Sequence, residues 1–143
     1  VVSCQTVLTA YPFALVWEHS VLRHGMAGKG WDEVAFDRGL SDALSRPDRI
    51  GAQVFTLRAE GLIADLSPAA ARARLSGLLI GVELAAAKPY WLGQPVTLIG
   101  ADVLCQSYAR ALSAQGVTAR FLSATECSLA GLASLARQLE TLS

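Results

Sequence analysis

The stretch VTLIGADVLCQSYARAL, residues 96–112, runs as an apolar, β-branched strand that stops at Gly100 and turns into a helix at Ala101 with no loop between them. The first amides of a helix have no internal partners and carry the positive end of its dipole. A Gly-Ala pair at that start lets an anion or a flat ring come close to the backbone. Two readings fit these residues: ordinary chain reversal in an α/β domain, or contact with a nucleotide. A second constellation is GLLIG, which places Gly77 and Gly81 one helical turn apart. Each glycine costs a helix interior about 1 kcal/mol relative to alanine, so something approaches the backbone closely along that face. Tight packing of the helix on a sheet and a ligand-facing role both account for it.

The remaining candidates read more plainly. GMAGKG, Gly25–Gly30, contains the Gly-Lys of a phosphate loop. It lacks the spacing, the following Ser or Thr and the preceding strand, so it reads as a loop. His19 has no carboxylate or cysteine at ligand spacing, which argues against a metal site. Cys127 lies near a helix start, where a thiolate would be favoured, but no basic or His partner is evident and an inert thiol is expected. The acids Asp32, Asp37, Asp65 and Glu83 form no visible set. Glu83 sits within an apolar helix, where an unpaired charge is costly, so a structural pairing is expected over a role facing a cleft.

The elements that position these residues follow from periodicity and caps. Tyr11–His24 has helical spacing at Phe13, Val16, Trp17 and Val21, with Gly25 as its stop. Residues 25–32 read as loop, Val34–Leu44 as a second helix ended by SRPD, and Ile50–Ile63 as a third, weakened by Gly61. Ser67 and Pro68 are an N-cap and a first-turn proline for a helix that runs to Ala87, where KPYW breaks it. Val96–Gly100 reads as a strand, Ala101–Gln115 as a helix stopped by Gly116, residues 117–123 as a second strand, and Glu126–Leu142 as a closing amphipathic helix. The last of these carries Leu129, Leu132, Leu135, Ala136 and Leu139 on one side. Strand, helix, strand, helix implies a parallel α/β sheet, and Val1–Leu8 reads as a further strand.

Composition excludes several classes. The 143 residues are 52% hydrophobic, enough for the core of one domain. Lys+Arg and Asp+Glu are both 12, with no basic patch, which argues against nucleic acid. The longest apolar run, Leu78–Ala87, contains Glu83 and is far short of the roughly 20 residues of a membrane span, so a soluble protein is expected. Three cysteines without a CxxC pair fit a reduced, cytoplasmic setting.

Four stretches in order, HSVL (19–22), AFDRGL (35–40), LSGLLIGVEL (75–84) and VTLIGADVLCQSYARAL, resemble the 2-keto-3-deoxygalactonokinases. These are bacterial sugar-acid kinases of the actin/hexokinase/heat-shock ATPase superfamily, and the resemblance spans nearly the whole chain. It implies phosphorylation of 2-keto-3-deoxygalactonate at its 6-hydroxyl with ATP and magnesium, in galactonate degradation. It also implies that Gly100 and Ala101 pack against the adenosine; Gly77 and Gly81, from their spacing, are further nucleotide-binding candidates. The fold it implies is α/β, the ribonuclease-H-like, actin-like C-terminal lobe. A helical insertion over about residues 10–88 would separate strands three and four, and a strand-helix-strand-helix core would occupy 96–142. In the sheet order 3-2-1-4-5, Val1–Leu8 would be strand three, Val96–Gly100 strand four and Thr118–Ser123 strand five, with strands one and two preceding the chain.

Departures from the family pattern carry expectations of their own. The N-terminal Asp-Trp-Gly-Thr-Ser phosphate motif and the later Leu-Pro-Gly-Thr-His-Ser-Lys-Trp stretch are not in the chain. The usual Thr-Gly-Glu before the first helix here reads Thr9-Ala10-Tyr11-Pro12. The expected partners are thus ATP, the sugar acid and the remainder of the kinase as an N-terminal lobe, with pairing of copies through the open sheet edge a further expectation. The alternative function is a non-catalytic nucleotide-binding or assembly module of the same fold.

Overall fold

The structure is a computed structural model that describes residues 10–27 and 29–142. It is mixed α/β, mostly helical, with a small two-stranded parallel sheet. Two compact units divide it between Tyr90 and Trp91. The strand expected over Val1–Leu8 lies outside the described residues.

The first unit is helical. It contains α1 (Ala10–His19), α2 (Glu33–Ser45), α3 (Ile50–Ile63) and α4 (Pro68–Ala86), with 3-10 turns at Val21–Gly25 and Pro47–Arg49. The single helix expected over Tyr11–His24 breaks at Ser20. The Ser20 hydroxyl donates to the Val16 carbonyl at 2.5 Å and accepts the Leu22 amide at 3.1 Å. That side-chain bonding competes with the helix ladder and lets the chain tighten into a 3-10 turn. Helix α2 starts earlier than its apolar pattern because Asp32, read as loop, caps it by accepting the Ala35 amide at 2.9 Å. Ser67 caps α4 as expected, accepting from the Ala70 amide at 3.2 Å. Asp65, at φ 51, turns the chain out of α3 in a left-handed conformation that Asp tolerates better than most residues.

The core of this unit gathers Leu22, Met26, Ala43, Leu57, Ala71, Leu75 and Leu78. Fully burying each large aliphatic side chain contributes about 1.5–3 kcal/mol. Helices α2 and α4 form the most extensive contact in the unit, and small residues let their backbones meet. A Cβ on Gly39 would run into the Arg74 carbonyl, and one on Gly77 into the Phe36 carbonyl. One on Gly81 would stand 2.7 Å from the Ala43 Cβ and 2.9 Å from the Leu40 carbonyl oxygen. The close approach signalled by Gly77 and Gly81 is therefore to a helix, not to a sheet.

The second unit carries β1 (Val96–Gly100), α6 (Asp102–Ser113), β2 (Ala119–Ser123) and α7 (Ala124–Leu142). Just before β1, the KPYW stretch is itself one short turn of helix, α5 (Lys88–Trp91). Strands β1 and β2 pair in parallel, from Val96 opposite Ala119 to Gly100 opposite Ser123. Helix α6 is the crossover that a parallel pair requires and buries Cys105, Ala111 and Leu112. Gly116, at φ 76, ends that passage as expected. Strand β2 starts at Ala119, later than the expected residue 117, and α7 follows it directly. The apolar stripe of α7 is solvent-facing, with Leu129, Leu132, Leu135 and Leu139 all exposed, as are Ile99, Phe121 and Leu122 of the sheet. Among the described residues β1 pairs only with β2.

Candidate functional site

The junction of β1 and α6 has the geometry that the sequence implies. The strand closes on Gly100, and Ala101 stays extended at φ −68 and ψ 134 before the helix begins at Asp102. The Ala101 carbonyl accepts the Cys105 amide at 2.9 Å, the first bond of the helix. No side chain caps the amides ahead of it. Among the described residues a Cβ on Gly100 would meet only the Cys105 Sγ, at 3.6 Å, within 4 Å. The Cα of Gly100 therefore has a face open to a flat group. Ala101 and Asp102 are exposed, and the Asp102 carboxylate lies in the first turn, where it offsets the positive end of the dipole. The junction can thus offer free amides, a bare Cα and one acceptor carboxylate to a neutral ligand, and it disfavours a second anion.

Gly77 and Gly81 do not join this junction in one unit. Both are buried, and the space beside their Cα atoms is taken by Phe36, Leu40 and Ala43 of α2. Neither presents a free Cα to a ligand in this packing.

The other sequence candidates stay apart. His19 ends α1, exposed, with its Nε2 3.7 Å from the Glu18 carboxylate. Cys127 is half-buried in α7 and is a free thiol. Glu83 is half-buried in α4 and is not without a partner, and the same holds for Asp37 of α2. Asp32 is a helix cap and Asp65 an exposed turn residue. Among the described residues no group of three or more His, Cys, Asp or Glu side chains is arranged to hold a metal ion. The GMAGKG loop is held by its carbonyls: Arg72 donates to Met26 O at 3.1 Å and to Gly30 O at 2.5 Å.

The comparisons with known proteins complete this picture. Residues 1–135 match the family model described as 2-keto-3-deoxy-galactonokinase. The chain belongs to that family. It is 34% identical over 139 residues to a probable 2-dehydro-3-deoxygalactonokinase of Rhizobium meliloti, covering 94% of this chain and 45% of that protein. It is 31% identical over 133 residues to the 2-dehydro-3-deoxygalactonokinase of Escherichia coli, covering 92% and 45%. A crystal structure of a putative 2-dehydro-3-deoxygalactonokinase from Sinorhizobium meliloti matches with a TM-score of 0.86 at 33% identity, over 94% of this chain and 46% of that one. The chain thus spans a little under half the length of the relatives it matches.

In this member of the 2-keto-3-deoxy-galactonokinase family the sequence left three structural residues unmarked. Gly39 stands within AFDRGL and contributes to the α2–α4 contact as much as Gly77 does. Arg72 and Arg74 are buried, and Arg74 pairs with Glu60 of α3 and, at 3.6 Å, with Asp42 of α2. The signal for Arg74 was its place in an apolar helix, where a buried cation demands carboxylates from neighbouring elements.

Proposed function

We propose that this chain supplies the adenosine side of a sugar-acid kinase that phosphorylates 2-keto-3-deoxygalactonate at its 6-hydroxyl with ATP. The observation that carries the reading is the β1–α6 junction, where Gly100 bares its Cα beside an uncapped helix start. Asp102 decides which end of the nucleotide suits that turn. Its exposed carboxylate would repel a phosphate but can accept a hydrogen bond from a sugar hydroxyl. The base and ribose would therefore rest on Gly100 and Ala101, with the phosphates directed away.

Phosphoryl transfer is chiefly positioning and charge stabilisation around the transferred group. Among the described residues no group of three or more His, Cys, Asp or Glu side chains is arranged to hold a metal ion, and the two phosphate motifs of the family pattern are not in the sequence. Those parts would come from the other half of the family's length, as an N-terminal lobe. The apolar faces of α7 and the sheet, with the edge of β1 that no described strand covers, are suited to contact such a lobe or a second copy. No described helix is long and apolar enough to cross a membrane, and the free thiols of Cys105 and Cys127 suit a reducing cytoplasm.

The test is a transfer assay on the intact kinase carrying this sequence. ATP and 2-keto-3-deoxygalactonate should yield ADP and a 6-phosphate visible by phosphorus NMR. ATP consumption no faster with the sugar acid than without it would refute the reading.

A further inference from the structure

The helical unit holds a half-open cavity of about 220 Å³ between the 3-10 turn, α3 and the start of α4. Its apolar lining comes from Leu22, Met26, Leu57, Leu62 and Ala71, and its polar side chains are Arg58 and His24. No carboxylate is among its described lining residues. Arg58 is half-buried, and its guanidinium makes no hydrogen bond or ion pair with any described residue. The neighbouring acid of α3, Glu60, is already engaged by Arg74. A half-buried arginine with no counter-ion among the described residues, set at an apolar pocket, is a recognition element for an anion with an apolar body.

We propose that this cavity binds a small carboxylate with an apolar body, the carboxylate on the Arg58 guanidinium and the body against Leu57, Leu62 and Met26. A planar guanidinium takes a carboxylate in two parallel hydrogen bonds, which fixes the ligand's direction as well as its charge. A polyhydroxy acid is disfavoured there, because its hydroxyls would lie unpaired against leucine and methionine. The inference therefore concerns a ligand other than the sugar acid and does not rest on the kinase reading.

Benzoate is a suitable probe, with benzyl alcohol as its uncharged counterpart and galactonate as a polyhydroxy acid. Binding to the full chain would be followed by chemical shifts in a proton–nitrogen NMR titration. Benzoate should shift resonances of Leu57, Gly61 and Ala71. Benzyl alcohol should bind at least about tenfold more weakly, the weight of one lost charged hydrogen bond, and galactonate at least about tenfold more weakly too, through its unpaired hydroxyls. Arg58→Gln should weaken benzoate by a similar factor, and Arg58→Lys by less. Gly61→Leu provides a test independent of charge. Nothing lies within 4 Å of the position its Cβ would take, so the leucine can be accommodated at the mouth of the cavity and should block the probe while the fold persists. No benzoate binding, tighter binding of galactonate, or equal benzoate affinity in Arg58→Gln and Gly61→Leu would each overturn the proposal.

Discussion

The same substitution, glycine to alanine inside a helix, should have opposite signs at Gly61 and Gly77. At Gly61 of α3 a new Cβ meets nothing within 4 Å. Only helix propensity acts there, and it favours alanine by up to about 1 kcal/mol. At Gly77 of α4 the same atom would collide with the Phe36 carbonyl and stand 2.8 Å from the Leu40 nitrogen. Both obstacles are backbone, so no side-chain rotation relieves them. The α2–α4 contact would have to open, loosening the side chains packed across it, among them Leu75 and Leu78 at 0% exposure. Overpacking of this kind costs about 1–3 kcal/mol and more where backbone must move. After the propensity gain, Gly77→Ala should still be destabilised by about 2 kcal/mol. In a chain of this size that lowers the melting temperature by roughly 4–8 °C, while Gly61→Ala should raise it by a few degrees at most. Circular dichroism of thermal and urea unfolding reads both variants. A Gly77→Ala protein as stable as its parent, or stabilised like Gly61→Ala, would refute the close helix contact and reopen a ligand-facing role for that stripe.

Other outcomes follow from the same contacts. Glu60→Ala strands the buried Arg74 cation with only the half-exposed Asp42 beside it, and should destabilise by about 3 kcal/mol in urea titration, whereas Asp42→Ala should cost clearly less. Ser67→Ala and Asp32→Ala each remove an observed cap and should cost about 1 kcal/mol, additively, since they act on different helices. The 143-residue polypeptide by itself should show no phosphorylation of 2-keto-3-deoxygalactonate in a coupled assay, because it contains neither phosphate motif of the family. Turnover of about 1 s⁻¹ or more, within the usual kinase range, would contradict that expectation.

What could be read from the sequence depended on how local its cause was. Helix α4 declared itself through Ser67, Pro68 and a long apolar pattern, and the β1–α6–β2 passage through a β-branched run and Gly116, because caps and strand preferences act over a few residues. The α1 boundary was misplaced for an equally local reason that periodicity does not register, the Ser20 hydroxyl bonding back to Val16. Long-range pairings were out of reach. Gly77 and Gly81 announced a close neighbour without naming it, and Gly39 passed unnoticed on the facing helix, since a helical glycine looks the same whether it meets a helix, a sheet or a ligand. The Arg74–Glu60–Asp42 cluster joins three helices by contacts that no spacing within one helix encodes. The local structure of the β1–α6 junction was legible, because a strand, a turn and a helix start are contiguous in sequence at Gly100 and Ala101.

The central claim is that Gly100 lies beneath the nucleotide, and a graded substitution in the intact kinase tests it most directly. An alanine Cβ would sit 3.6 Å from Cys105 Sγ, an ordinary contact, so Gly100→Ala should fold normally. It should still occupy the face assigned to the adenosine, and Gly100→Val should occupy more of it. The account predicts that the KM for ATP rises stepwise from Gly to Ala to Val while the KM for the sugar acid stays within about twofold of the parent, as expected for loss of binding at one substrate only. Folded variants with unchanged ATP dependence would contradict it and leave the β1–α6 junction as a chain reversal alone.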